Sequence, residues 1–220
     1  MSNNLHQAKK QKDDEYYTRL PDIENELKHY KKHFEGKTVL CNCDDPEWSN
    51  FYVFFKAKMC EYKIKKLIST HYTENNLYDQ AYQLECVILE SKNGKLKETK
   101  TILQGNGDFR SPECVNLLKQ SDIICTNPPF SLFREYIAQL IEFNKKFLVI
   151  GNMNATTYKE IFKLFKDNKI WLGVSPRSMT FDTNNGSKDV NAVWFTNLEH
   201  DKRNEELYLK DKYSSNNYLV

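Results

Sequence analysis

No apolar run in this sequence approaches the roughly 20 residues of a membrane span, and the start, Met1-Ser2-Asn3-Asn4, has no signal-peptide core. A membrane partner is therefore not expected, and the cytoplasm is the expected compartment. Glycine is scarce, seven in 220 residues with none between Lys37 and Gly94, which excludes a glycine-rich loop from that stretch. An excess of one charge is missing as well: 32 Lys+Arg against 30 Asp+Glu leave +2, with a pI near 8.1. Such a balance neither demands nor forbids nucleic acid, so any DNA-binding surface has to be local.

Apolar material is present in quantity. Hydrophobic residues make up 40% and aromatics 13%, enough for a core despite a mean hydropathy of -0.72, and the length suits one domain with a small appendage. The six cysteines (Cys41, Cys43, Cys60, Cys86, Cys114 and Cys125) sit mostly inside apolar segments and read as small buried hydrophobes.

Residues 1–15 are polar and read as a flexible arm. Ile23, Leu27, Tyr30 and Phe34 then recur at helical spacing between Pro21-Asp22 and Gly36. Strands are expected at 38–43 and 65–70, with a helix over 48–59 between them. From Tyr82 to Leu103 two β-rich runs flank Lys92-Asn93-Gly94-Lys95, a hairpin signal. Ser111-Pro112 opens a further helix, Ser121 to Thr126 is an apolar strand, and Leu132 to Ile141 carries a helical stripe. Lys146 to Ile150 reads as a strand, and Thr157 with Glu160 as a capping box. Ile170 to Val174 and Ala192 to Thr196 read as final strands, with Asn184-Asn185-Gly186-Ser187 as a turn in an exposed loop. This alternation implies an α/β fold, a mostly parallel sheet covered on both faces. Ligands of such sheets gather at the carboxyl ends of strands, where strand order reverses.

Asn127-Pro128-Pro129-Phe130 directly follows one of those strands. An exocyclic adenine amine is a poor nucleophile because its lone pair is delocalised into the ring. Two acceptors for its N–H protons favour a tetrahedral nitrogen with the lone pair free. The Asn127 side-chain oxygen and the Pro128 carbonyl are suited to that task, and the prolines fix the turn while adding no competing N–H. Phe130 offers a face on which an extruded base can stack. The same tetrapeptide also serves as a plain strand-ending turn; its place before an amphipathic helix favours the chemical reading.

Other clusters read more plainly. His29, His33, Cys41 and Cys43 suggest zinc only superficially, since one residue separates the cysteines and both lie in a strand. Asp44-Asp45 has no third carboxylate at a metal-binding spacing and reads as a cofactor-side turn; no metal is expected. Phe51, Tyr52, Phe54 and Phe55 read as core. Lys9, Lys10 and Lys12 read as a solvated arm. Arg177 and Lys188 flank the loop from Pro176 to Val190, where DNA contacts are expected from position alone.

Several stretches in order resemble the EcoRI-type adenine-specific DNA methyltransferases: Asp14-Glu15-Tyr16-Tyr17-Thr18, Cys41-Asn42-Cys43-Asp44-Asp45-Pro46, Gly107-Asp108-Phe109-Arg110-Ser111, Thr126 to Tyr136, Phe147 to Asn152 and Ala192 to Leu198. The resemblance implies a Rossmann-like class I methyltransferase, a mostly parallel seven-stranded sheet with one antiparallel strand, using S-adenosyl-L-methionine on the N6 of adenine in double-stranded DNA. It sets Tyr17 and Thr18 near the methionine part of the cofactor and the turn Cys43-Asp44-Asp45 in place of the usual glycine-rich loop. It gives Asp108 the cofactor's adenine amine, with Phe109 beside the ring; Thr70 and Asn127 complete the expected cofactor contacts. Where the superfamily holds the ribose with an acid after the second strand, this chain reads Ser69-Thr70-His71-Tyr72, so the ribose ligand is left open.

The resemblance further implies a prokaryotic or phage origin and a cognate restriction endonuclease acting on the same site without a stable complex. It gives a catalytic domain over 16–205 and a polar tail over 206–220, with the family's C-terminal recognition segment missing. An amine methyltransferase acting on RNA or protein, or a non-catalytic module, are the alternatives.

Overall fold

The computed structural model describes residues 17–74, 80–89, 95–175, 178–183 and 186–205. Its centre is an eight-stranded sheet in the order β5-β4-β3-β2-β6-β7-β11-β8. The strands are β2 (Thr38–Cys41), β3 (Lys66–His71), β4 (Tyr82–Leu89), β5 (Lys95–Ile102), β6 (Ile123–Thr126), β7 (Lys146–Asn152), β8 (Trp171–Leu172) and β11 (Ala192–Thr196). β2, β3, β6 and β7 pair in parallel, while β4 and β11 run against their neighbours.

Alternation along the central strands sends successive side chains to opposite faces. Val39, Cys41, Ile123, Cys125, Leu148, Ile150 and Trp194 belong to one core, under α1 (Leu20–Leu27), the 3-10 segment Lys28–Phe34 and α2 (Asn50–Lys58). Leu40, Ile124, Phe147, Val149, Val193 and Phe195 belong to the other, under α3 (Pro112–Gln120), α4 (Phe133–Glu142) and α5 (Lys159–Lys166). Strands buried on both sides read as unbroken apolar runs, which is why they were visible in the sequence. The aromatic residues Phe51, Tyr52, Phe54 and Phe55 are all at most 3% exposed, in the first of these cores.

The sheet departs from the expected seven strands with one reversed. Both arms of the 82–102 hairpin join it, paired from Leu89↔Lys95 to Tyr82↔Ile102, so β5 becomes an added edge and β4 a second reversed strand. The expected hairpin turn falls at 90–94, outside the described residues, as do the 1–15 arm and the 206–220 tail.

Of the loop expected over 176–190, residues 179–183 and 186–190 are instead strand, while 176–177 and the Asn184-Asn185 part of the expected turn lie outside the described residues. β9 (Met179–Thr183) and β10 (Gly186–Val190) pair antiparallel, and β1 (Tyr17–Thr18) joins the far side of β9 in a separate three-stranded sheet. Met179 and Phe181 alternate inward and are buried, a period-two signal too short to stand out. Thr157 is not a helix cap: α5 begins after Tyr158 with no side-chain cap, and the Thr157 hydroxyl donates to the Asn154 carbonyl at 2.8 Å. The cause is the 3-10 turn Met153–Thr157, which occupies Thr157 before the helix starts.

Candidate functional site

The chain runs outward from β2 in both directions, to β3 on one side and β6 on the other. Strand order reverses between β2 and β6, which opens a crevice at their carboxyl ends. A cavity of about 520 Å³ lies there, within the roughly 300–1,000 Å³ of small-molecule sites. Its wall includes Tyr17 and Thr18 from β1, Cys43, Asp44 and Asp45 after β2, Thr70 on β3, Asp108 and Phe109 before α3, and Asn127, Pro128, Pro129 and Phe130 after β6. The structure thus brings to one cavity residues that the sequence had singled out in five separate stretches. Arg177 lies outside the described residues. Lys188 is exposed on β10 and is not among the lining residues.

Hydrogen bonds around the cavity fix its walls. The Asn50 amide donates to the Thr18 carbonyl at 2.8 Å, tying β1 to the start of α2. The Asp44 carboxylate accepts from the Ser49 hydroxyl at 3.0 Å, from the Asn127 amide at 3.2 Å and from the Thr126 hydroxyl. Asp45 accepts from His71 Nδ1 at 2.6 Å; because a carboxylate only accepts, the proton sits on that nitrogen. The Asp108 carboxylate is held by Arg110, Nε to Oδ1 at 2.8 Å and Nη2 to Oδ2 at 2.6 Å. Gly107 has φ +79, and a Cβ there would stand 2.3 Å from the His71 carbonyl, so only glycine lets this turn close on β3.

These contacts set the charges. The Arg110 guanidinium holds Asp108 below its ordinary range, as a carboxylate. Desolvation pushes Asp44 up to about 6, against the opposing hydrogen bonds from Thr126, Ser49 and the Asn127 amide. Burial, followed by the Asp44 charge, raises the Cys43 thiol well above its usual value, so Cys43 is no thiolate nucleophile. His33 Nε2 stands 2.8 Å from the Glu199 carbonyl and Cys41 is fully buried, a geometry with structural uses for both.

The raised Asp44 pKa gives a pH prediction with a definite sign. Its folded value lies above the reference 3.8, so the stabilisation is full below about pH 4 and is lost as pH rises through about 6. Asp44→Asn cannot ionise there. Urea melts should show wild type losing on the order of 2–3 kcal/mol relative to Asp44→Asn between pH 4 and 7; a difference that stays flat means the carboxylate is not desolvated.

Sequence reading missed several lining residues: Asn42, Trp48, Tyr72, Glu74 and Arg110. Glu74 lies three positions beyond the end of β3, past the Ser69 to Tyr72 stretch where an acid was sought. Trp48 is 72% exposed and Tyr72 48%, so two aromatic faces stand at the rim. Thr18 Oγ1 and Asn42 Nδ2 are buried polar atoms without a hydrogen-bond partner, which a bound molecule could satisfy. Asp44, Asp45, Glu74 and Asp108 outweigh Arg110 in this wall, and the balance suits a ligand with a positive centre and planar rings.

A family model described as "Adenine-specific methyltransferase EcoRI" matches residues 4–192. The Type II methyltransferase M.EcoRI of Escherichia coli is 44% identical over 239 positions, covering 96% of this chain and 73% of that protein. M.MgeORF184P of Mycoplasma genitalium is 39% identical, covering 96% of this chain and 70% of its own length. M.MpnI of Mycoplasma pneumoniae is 38% identical, covering 97% and 70%. No solved structure matches the chain.

Proposed function

This chain belongs to the EcoRI-type adenine-specific methyltransferase family, and from that premise we propose that it moves a methyl group from S-adenosylmethionine to the N6 of adenine in double-stranded DNA. The observation that carries the reading is the Asn127-Pro128-Pro129-Phe130 corner opening on an acid-lined cavity at the sheet's reversal point. We read β4-β3-β2-β6-β7-β11-β8 as the seven-stranded class I sheet within a 16–205 catalytic domain, with β5 an addition at its edge.

The cofactor supplies an electrophilic methyl on a sulfonium. The cavity fits such a molecule: the carboxylates balance its cationic groups, and Thr18 Oγ1 and Asn42 Nδ2 are polar atoms awaiting partners. Tyr17 and Thr18 would hold the methionine end, with the turn Cys43-Asp44-Asp45 and Thr70 beneath the molecule. Asp108 would accept the cofactor's adenine amine with Phe109 beside the ring. Arg110 leaves room for this, because a carboxylate has about four lone-pair sites. Glu74 is the acid we assign to the ribose hydroxyls.

On the substrate side, Asn127 Oδ1 and the Pro128 carbonyl would accept the two N–H protons of the flipped adenine. The Pro129 carbonyl accepts from the Leu132 amide at 3.0 Å, and the Pro128 carbonyl is the one we assign as the second acceptor. Fixed acceptors favour the pyramidal nitrogen and stabilise the positive charge that arrives with the methyl group. Phe130 would stack on the base. Its ring is met edge-on by Phe181 at 6.3 Å, so the small sheet braces it. Lys188, on the same hairpin, is the described candidate for a phosphate contact. The relatives' names as Type II methyltransferases of bacteria support a restriction-modification role in a prokaryotic or phage setting, with a cognate endonuclease acting on the same site as part of this proposal.

Labelled S-adenosylmethionine offered with duplex DNA, RNA and protein tests the proposal. Label is expected in DNA, as N6-methyladenine on nucleoside analysis. Label found only in RNA or protein would redirect the assignment, and no heat in calorimetry at saturating cofactor would favour a non-catalytic module.

A further inference from the structure

Thr126 has no part in the chemistry described above, yet its surroundings are unusual. It is the last residue of β6, fully buried, and the sole hydroxyl in the strand sequence Ile-Ile-Cys-Thr. A buried hydroxyl is costly unless it is hydrogen-bonded. This one accepts from the Cys43 amide at 3.2 Å and donates to Asp44 Oδ2. The same Asp44 oxygen accepts from the Asn127 amide at 3.2 Å. The contacts form a closed path: Cys43 to Thr126, Thr126 to Asp44, Asp44 to Asn127.

The position of that path matters. Up to Thr126 the backbone is set by the ladder, where Thr126 stands opposite Val149. Asn127 is the first residue beyond it, so its direction depends on what holds its own amide. That holder is Asp44, and Asp44 is located by Thr126 and by the Ser49 hydroxyl. Remove the Thr126 hydroxyl and the Cys43 amide loses its acceptor, the carboxylate loses a donor, and the Asn127 amide is left on a looser anchor.

We propose that Thr126 is a positioning residue, whose hydroxyl locks the Cys43-Asp44 turn to the Asn127 corner and so aims the Asn127 side chain. The inference rests on the methyl-transfer reading for Asn127. It also makes the cofactor-side turn and the base-side corner one rigid piece rather than two loops that merely meet.

Three variants separate the hydroxyl from the bulk of the side chain. Thr126→Val keeps the shape and lacks the hydroxyl; Thr126→Ala and Thr126→Ser differ from each other only by the hydroxyl. Single-turnover methyl transfer to duplex DNA should slow about 10- to 100-fold in the Val and Ala variants, because small misplacements of reacting groups carry penalties of that order. Thr126→Ser should stay within about 3-fold of wild type. In ligand-free protein, amide exchange at Cys43 and Asn127 should quicken at least about 10-fold in the Val and Ala variants, relative to the buried amides of β7, and recover in Thr126→Ser. Val and Ala variants as fast as wild type, or a Ser variant as slow as Ala, would overturn the assignment. So would unchanged exchange at Cys43 and Asn127, a readout that uses neither cofactor nor DNA. A wild-type chain that methylates nothing would instead bring down the parent reading, and the aiming of Asn127 with it.

Discussion

Asn127→Ala is expected to slow methyl transfer by about 100- to 1,000-fold, the usual effect of deleting one aimed hydrogen-bonding group, about 3–4 kcal/mol of transition-state stabilisation. The group lost is the side-chain acceptor for the adenine amine. The backbone amide of residue 127, which donates to Asp44 at 3.2 Å, remains, so the corner keeps its place. The Pro128 carbonyl is untouched as well, which leaves one acceptor and some residual rate. Cofactor affinity should stay near wild type. Rapid-quench kinetics with duplex DNA and calorimetry with S-adenosylmethionine measure the two quantities separately. If affinity for the cofactor fell as far as the rate, the Asn127 side chain would serve cofactor binding rather than the adenine amine, and the proposed chemistry would lose its central group.

The largest effect on stability is expected at Glu26. This carboxylate is fully buried. Oε1 accepts from the Val174 amide at 2.8 Å and the Tyr30 hydroxyl at 2.7 Å, and Oε2 from the Ser175 amide at 2.7 Å. Gly173 closes over it so tightly that a Cβ there would stand 2.3 Å from Oε1. Glu26→Ala strands three donors, the buried Val174 amide and Tyr30 hydroxyl and the part-buried Ser175 amide, and should cost about 3–5 kcal/mol. For a chain of this size that is a fall in Tm of roughly 6–20 °C. Glu26→Gln keeps one acceptor oxygen and should lose less. Calorimetric or urea melts of both variants check this; an alanine variant within about 1 kcal/mol of wild type would mean that the loop finds other partners. Glu26 also joins α1 to the segment leading into β9, so its loss should loosen the small sheet that braces Phe130.

Glu26 illustrates a general limit. On the sequence it is a polar residue on a helix with an apolar stripe, and nothing nearby marks it as buried. Its partners Val174 and Ser175 lie almost 150 positions away, and a carboxylate's surroundings have no local signature. Asp44 is a parallel case. The sequence marked it as part of a cofactor-side turn, but its carboxylate is also bound to Thr126 and Asn127, more than 80 positions downstream. Glu74 and Arg110 were missed because loop residues carry no periodicity from which a direction can be read.

By itself the sequence determined the two-sided α/β sheet and the corner after β6, while the other stretches that meet around the cavity were implied by the family resemblance. The sequence could do so because strands buried on both faces need continuous apolar runs, and prolines that end a strand act through their own covalent geometry. Tertiary structure alone decided that the 82–102 hairpin joins the sheet, that β1 pairs with β9 to brace Phe130, and that Glu26, Asp44 and Thr126 join remote segments. Those outcomes depend on hydrogen-bond partners brought together only when the chain closes on itself, and no neighbour in the sequence encodes them.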